Sequence, residues 1–245
     1  MNVLIAPNPL KKGSAEIVRA VTGFFGSEKV SYTIVDEEKD YPKGPFDLLL
    51  FIGGDGTLIH FAHYALHYDI PMIGINLGSR GYYCRIDKEN IIEDLKALID
   101  QDYQIEEHTI MQLCDPESSY QIINEAAFYA DLTICNYEIS LNKKIIYHSK
   151  ASGVLITTTI GSTGLNKSLG GAIIDNGLDL LEINPIATNT GYRTPLIIDA
   201  GKEYELHIDR DCNLSIDGQP KIKVKGKTTF SFKGLDRRLK LVKWY

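Results

Sequence analysis

The sequence has no apolar run long enough to span a membrane, no internal repeat, no low-complexity segment and no CxxC pair. Its glycine-rich turns also lack the lysine of a P-loop, which sets that phosphate-binding device aside. A membrane-spanning helix needs about 20 apolar residues, so no such span is expected. The four cysteines, Cys84, Cys114, Cys135 and Cys212, lie far apart, and none has a histidine in ligand spacing beside it. Reduced thiols in a cytosolic protein are therefore expected. An excess of positive charge is missing too: 32 acidic against 26 basic side chains leave a net charge of −6. Nucleic acid is therefore not expected as a partner, and an anionic ligand needs local donors. The opening "MNVLIAPNPLKKG" puts its basic pair after a short apolar run, the reverse of a secretory signal. No basic amphipathic stretch is present to bind lipid. A soluble, cytoplasmic protein is expected.

What is present is an ordinary globular composition, 44% hydrophobic and 24% charged over 245 residues, enough for one large or two modest cores. Strand and helix signals alternate at first. "NVLIA" (2–6) reads as a buried strand, "SAEIVRAVTGFF" (14–25) as a helix with Ser14 as N-cap, "SYTIVD" (31–36) as strand and "FDLLLFI" (46–52) as a strand covered on both faces. Leu58, Ile59, Ala62, Ala65 and Leu66 repeat at helical spacing, "PMIGIN" (71–76) is the next strand, and "NIIEDLKALIDQ" (90–101) a further helix. This βαβαβ order predicts a doubly wound, Rossmann-like α/β domain over residues 1–101. Beyond it, short β runs split by turn residues, among them "HTIMQLCD", "YQIINEAAF", "DLTICNYEISLN", "KIIYHSK" and "GVLITTTI", predict an all-β sandwich over 102–233. A tail, 234–245, is free to return to the first domain.

The stretch "FIGGDGTLI" (51–59) carries the sharpest chemistry. Glycines at the carboxyl end of a parallel strand let backbone approach a phosphate, and the following helix N-terminus favours anions. A lone carboxylate, Asp55, is out of place there unless it faces something other than phosphate. Two readings stand on the residues alone: Asp55 orients a hydroxyl that attacks phosphorus, or it caps the helix. Similar pairs of readings hold elsewhere. Glu125 is a ligand contact or a strand-end surface charge, "GSTG" (161–164) a binding turn or a plain loop, and Tyr82 and Tyr83 pocket walls or packing aromatics. His60, His63 and His67 share helical spacing, but no further ligand cluster marks a metal site.

Taken together, these motifs resemble the NAD kinases. "GGDGT" (53–57) is the hallmark of the clan that also holds diacylglycerol and sphingosine kinases. "IGINLGSRGYY" (73–83), "NEAAF" (124–128), "TTTIGSTGLNKSLGGAII" (157–174), "NPIATNTGYRTPLII" (184–198) and "SIDGQ" (215–219) are similar to the family's later motifs, in its order and over nearly the whole chain. The resemblance implies transfer of the terminal phosphoryl of ATP, or of polyphosphate, to the adenosine 2′-hydroxyl of NAD, with Mg²⁺ arriving with the nucleotide. It implies that Asp55 orients or deprotonates that hydroxyl within a turn made by Gly53, Gly54, Gly56 and Thr57. Asn124 and Glu125 would hold ribose hydroxyls, and Tyr82 and Tyr83 would wall the adenine pocket. Gly161, Ser162, Thr163 and Gly164 would meet adenine or phosphate, with Ser168 close by. A homo-oligomer, dimer or tetramer, is implied as well.

Two positions depart from the family. Leu165 stands where most members have a tyrosine, and an aromatic stack is worth ~0.5–1.5 kcal/mol beyond its burial. Ser152 stands where an aspartate is usual, keeping a hydrogen-bonding group without the charge. Both bear on which nucleotide is accepted. The alternatives are a related kinase of another nucleotide or lipid hydroxyl, and a non-catalytic nucleotide-binding protein.

Overall fold

The apolar run that ends at Phe51 and Ile52 becomes a central strand of a parallel sheet, all six of its residues buried. The structure, a computed structural model, describes residues 1–36, 41–78, 81–131, 133–219 and 222–245. Ser79 and Arg80 of the glycine loop, and Leu132 of a predicted β run, lie outside the described residues. The chain divides into two compact units, Met1–Glu107 with Leu239–Tyr245, and His108–Arg238.

The first unit contains β1 (Asn2–Pro7), α1 (Ser14–Ser27), β2 (Ser31–Ile34), β3 (Leu48–Gly53), α2 (Asp55–Tyr68), β4 (Met72–Asn76) and α3 (Ile91–Ile99). β2, β1, β3 and β4 lie side by side in that order, all parallel. Near the C-terminus Leu241 pairs with Met72 in the same sense. Alternation along the strands sends Val3, Ile5, Leu48, Leu50 and Ile52 into one core with residues of α1 and α3. Leu4, Leu49 and Phe51 point to the opposite face, and α2 packs against β3 through its own buried row, Leu58, Phe61, Ala62 and Leu66. This is the predicted doubly wound α/β arrangement. The cap of α1 differs from expectation. Gly13, at φ 87°, is the N-cap, and Ser14 is the first helical residue, buried. The chain enters this helix through a left-handed residue, which glycine adopts without steric cost.

The second unit is β-rich. β5 (Gln104–Cys114) leads into it, followed by β6 (Ser119–Ile122), β7 (Glu125–Tyr129), β8 (Cys135–Leu141), β9 (Lys144–Thr158), the short α4 (Leu165–Ser168), β10 (Leu180–Gly191), β11 (Leu196–Asp199), β12 (Tyr204–Ile208), β13 (Cys212–Ile216), β14 (Ile222–Val224) and β15 (Thr228–Lys243). Its inward residues, such as Cys135, Tyr137 and Ile139 of β8, share one core with Phe128, Leu206 and Phe230. Two expectations are corrected here. "KIIYHSK" and "GVLITTTI" are one continuous strand, because Gly153 lets β9 run close against β7: a Cβ there would lie 2.5 Å from the Phe128 carbonyl oxygen. Conversely, "YQIINEAAF" is broken at Ile123 and Asn124, between β6 and β7. Among the described residues no helix is long and apolar enough to cross a membrane.

Gly74 in β4 seats the ring of Phe51; a Cβ at that position would fall 2.2 Å from the ring. The ring is fully buried and has no room to retreat. Gly74→Ala is therefore expected to destabilise the protein by about 1–3 kcal/mol, read as a lowered denaturation midpoint in urea; an unchanged midpoint would contradict this packing.

Candidate functional site

In the sheet order β2-β1-β3-β4, the chain moves outward in opposite directions on either side of the gap between β1 and β3. Open α/β sheets bind ligands at the carboxyl end of such a gap. The turn of residues 53–56 lies there. The backbone N–H of Asn8, just past β1, donates to the Ile52 carbonyl at 2.9 Å, and its side-chain amide donates to Thr57 Oγ1 at 3.2 Å. Thr57 is buried, and a Cβ on Gly53 would lie 2.1 Å from its hydroxyl. The turn is thus closed from within by Thr57 and from across the gap by Asn8, a residue the sequence reading did not single out.

Asp55 opens α2, and the N-cap is Gly54. Its carboxylate makes no capping bond to the helix; it accepts instead from two backbone amides of the following glycine loop, Tyr82 N–H to Oδ2 at 3.0 Å and Tyr83 N–H to Oδ1 at 3.2 Å. The capping reading therefore falls away. A carboxylate has about four acceptor positions, so roughly half remain for a ligand. Tyr83 is itself buried, whereas Tyr82 is 43% exposed. Cys84 sits beside the same group: burial, then the Asp55 and Asp87 carboxylates, push its thiol up to about 12, which keeps it protonated and a poor nucleophile. His60 contacts Tyr41 at 2.9 Å. Among the described residues no three His, Cys, Asp or Glu side chains group as a metal site.

In the second unit, the break between β6 and β7 holds Ile123 and Asn124, and Glu125 opens β7. The carbonyls of this segment are taken up by β9: Thr158 Oγ1 donates to Ile123 O at 2.6 Å, while Thr157 Oγ1 and the Thr158 amide donate to Asn124 O at 3.0 and 2.9 Å. Its amides converge on Asp217, with Ile123 N–H reaching Oδ2 at 3.0 Å and the N–H groups of Asn124 and Glu125 reaching Oδ1 at 2.6 and 3.2 Å. With the backbone so held, Asn124 Oδ1 and Glu125 Oε2 are buried without a hydrogen-bond partner among the described residues. Such oxygens are costly unless something supplies a donor. Burial first, and the Asp217 carboxylate second, raise the Glu125 carboxyl to about 7.

Glu125 also lines a cavity of about 410 Å³ with Ala127, Tyr129, Ser152, Leu165, Ile186 and Ser215. The structure thus brings together Glu125, Ser152 and Leu165, which lie far apart in sequence. The "GSTG" turn stands close by because Gly161 allows it: a Cβ there would lie 2.3 Å from the Asn124 carbonyl oxygen. Ser162 and Thr163 turn their hydroxyls inward, to Thr159 O at 2.6 Å and Ile160 O at 3.3 Å. Gly164 and Ser168 are exposed. Behind the turn is a fully buried set the sequence reading did not single out: Asn166 donates to Glu182 at 2.8 Å and accepts from Asn184 at 3.0 Å. Glu182 also accepts the Ala172 amide at 3.0 Å, so the loop after α4 is fastened to β10.

Comparison with known proteins accords with this arrangement. Residues 25–103 match the ATP-NAD kinase N-terminal domain and residues 127–244 the ATP-NAD kinase C-terminal domain. The NAD kinase of Geobacter metallireducens is 30% identical over 206 residues, covering 80% of this chain and 73% of its own. Among solved structures, yeast NADH kinase complexed with NADH superposes with a TM-score of 0.84 at 19% identity, over 100% of this chain and 84% of its own. An NAD kinase from Archaeoglobus fulgidus in complex with ATP gives a TM-score of 0.79 at 18% identity, over 99% and 94%. At such identities the two structures establish the fold.

The raised Glu125 carboxyl has a consequence for stability. Folded, it holds its proton up to about pH 7; unfolded, only to its ordinary value of 4.5. Across that window the native state binds more protons, so stability falls as pH rises and levels off above the folded value, at a cost on the order of 3 kcal/mol. Glu125→Gln, which cannot ionise, is expected to melt at a higher temperature than the wild type at pH 8 and to lose the advantage near pH 4.5. Thermal melts at the two pH values check this, and an equal difference at both would contradict it.

Proposed function

The chain belongs to the NAD kinase family, and we propose for it that family's reaction: transfer of the terminal phosphoryl group of ATP, or of polyphosphate, to the adenosine 2′-hydroxyl of NAD, giving NADP. The observation that carries this reading is the Asp55 carboxylate, held by the Tyr82 and Tyr83 amides at the switch point of the sheet with acceptor positions to spare.

Phosphoryl transfer passes through a loose transition state in which the attacking hydroxyl loses little of its proton early. Orientation therefore matters more than base strength. A carboxylate fixed by two amides and set on the first residue of a helix supplies orientation at small entropic cost. The amino end of α2 and the bare glycine backbone of residues 53–56 favour the phosphates of the donor. Asn124 and Glu125 offer oxygens that lack donors, and ribose hydroxyls are donors. Magnesium is taken as part of the nucleotide substrate, where it neutralises phosphate charge when bound.

Among the described residues, Leu165, 43% exposed, and Ser152 line the cavity beside Glu125 with no second charged side chain. We further propose a cytoplasmic homo-oligomer, dimer or tetramer. The free cysteines support the location, and the half-exposed Ile145, Tyr192 and Ile197 of the second unit support the assembly.

Purified protein given NAD, MgATP and an NADP-specific coupling dehydrogenase is expected to form NADP. Asp55→Asn is expected to lower kcat by at least ~100-fold, the usual range for a positioned proton acceptor. No NADP from NAD above the Asp55→Asn background, with either ATP or polyphosphate as donor, together with no NADPH from NADH, would end this reading.

A further inference from the structure

Asp217 is fitted for a task the overall reaction does not require of it. It occupies a left-handed conformation, φ 49°, ahead of Gly218 at φ 72°, after β13. Its own N–H donates to Glu125 O at 3.0 Å. Its carboxylate collects three consecutive amides, those of Ile123, Asn124 and Glu125, the concave arrangement that backbone ordinarily uses to hold a bound anion. Here the anion is built into the chain. Main chain and side chain of one residue thus grip the segment whose two side chains carry the buried, unpartnered oxygens.

We propose that Asp217 is a positioning residue for the acceptor nucleotide: its carboxylate locks the Asn124-Glu125 turn and sets a negative charge against the Glu125 carboxyl, so that filling the ribose site is coupled to loss of a proton from Glu125. This rests on the NAD kinase reading. Glu125 accepts from two hydroxyls of a ribose only as the anion; in the neutral form one of its oxygens is a donor. Besides burial, Asp217 is the charge that bears on Glu125. Among the described residues, those that line the cavity with it include Tyr129 from its own strand, Ser152 of β9, Leu165 of α4, Ile186 of β10 and Ser215 of β13, and no other carboxylate, amine, guanidinium or imidazole is among them. A ribose whose hydroxyls donate to the anion draws the proton off, and by linkage its affinity rises with pH through the value at which Glu125 titrates.

Three measurements test this. NAD binding by calorimetry at pH 7, in two buffers of different ionisation enthalpy, is expected to release about half a proton from the wild type, since Glu125 is then half protonated. The Kd for NAD is expected to fall several-fold from pH 6 to pH 8. In Asp217→Asn, which keeps the shape and an acceptor oxygen, both the pH midpoint for NAD binding and the titration of the Glu125 carboxyl are expected to move at least half a unit lower. The carboxyl is followed by ¹³C-labelled glutamate signals and assigned with Glu125→Gln. Unchanged midpoints in Asp217→Asn overturn the proposal, as does NAD binding without proton release. Should Asp217→Asn fail to fold, the wild-type proton release still decides. A wild type that forms no NADP while the Glu125 titration still responds to Asp217→Asn faults the kinase reading and leaves the coupling between the two carboxyls standing.

Discussion

The amides of Ile123, Asn124 and Glu125 converge on the carboxylate of Asp217, and much of the second unit's chemistry follows from that contact. A carboxylate drawn away from water needs donors, and three amides at the head of β7 supply them. The same contact stops β6 from running on into β7 and leaves Asn124 and Glu125 with side-chain oxygens that no donor among the described residues reaches. The first unit uses the same device on a smaller scale, where two amides of one loop hold Asp55. In both places main-chain groups do the fixing, and side-chain acceptors are left for a ligand.

A site of this kind sits badly with stability. Glu125 is only 7% exposed, and its raised carboxyl records the strain of keeping an anion there. Glu182 shows the opposite solution: fully withdrawn from solvent, it is matched by the Ala172 amide and the Asn166 side chain. One buried acid is satisfied and anchors a loop; the other is left short of donors at the cavity. Natural proteins tolerate such local cost where function needs it.

How much of this could be read from the chain alone depends on the range over which each signal acts. The α/β order was legible because apolar period, glycine and chain direction are local properties, and Asp55 stood out because glycines flank it. The cap of α1 was misread because Ser14 is a good cap by type, while Gly13 wins by conformation. Gly153 looked like a strand break, yet it serves close approach of β9 to β7. Asp217 could not be found as a partner of Glu125, since 92 residues separate them, and neither could Asn8 as a partner of Thr57, 49 residues on. Pairings of that length depend on topology, and no window of sequence contains them. The inward turn of Ser162 and the burial of Tyr83 were hidden for the same reason. What a side chain faces is decided by elements from elsewhere.

The cavity wall formed by Ser152, Leu165 and Ile186 bears on chemical selectivity. A small molecule that uses a cationic arm to reach the aspartate most family members carry would find a neutral hydroxyl here, and one that stacks a flat ring on their tyrosine would find a branched aliphatic surface. Compounds built with an apolar arm and a neutral hydrogen-bonding tip would fit this wall and leave the usual charged partner of the relatives unpaired. An unpaired buried charge is among the stronger penalties in recognition, so the identity of two residues at one cavity wall bears directly on which ligands it rejects.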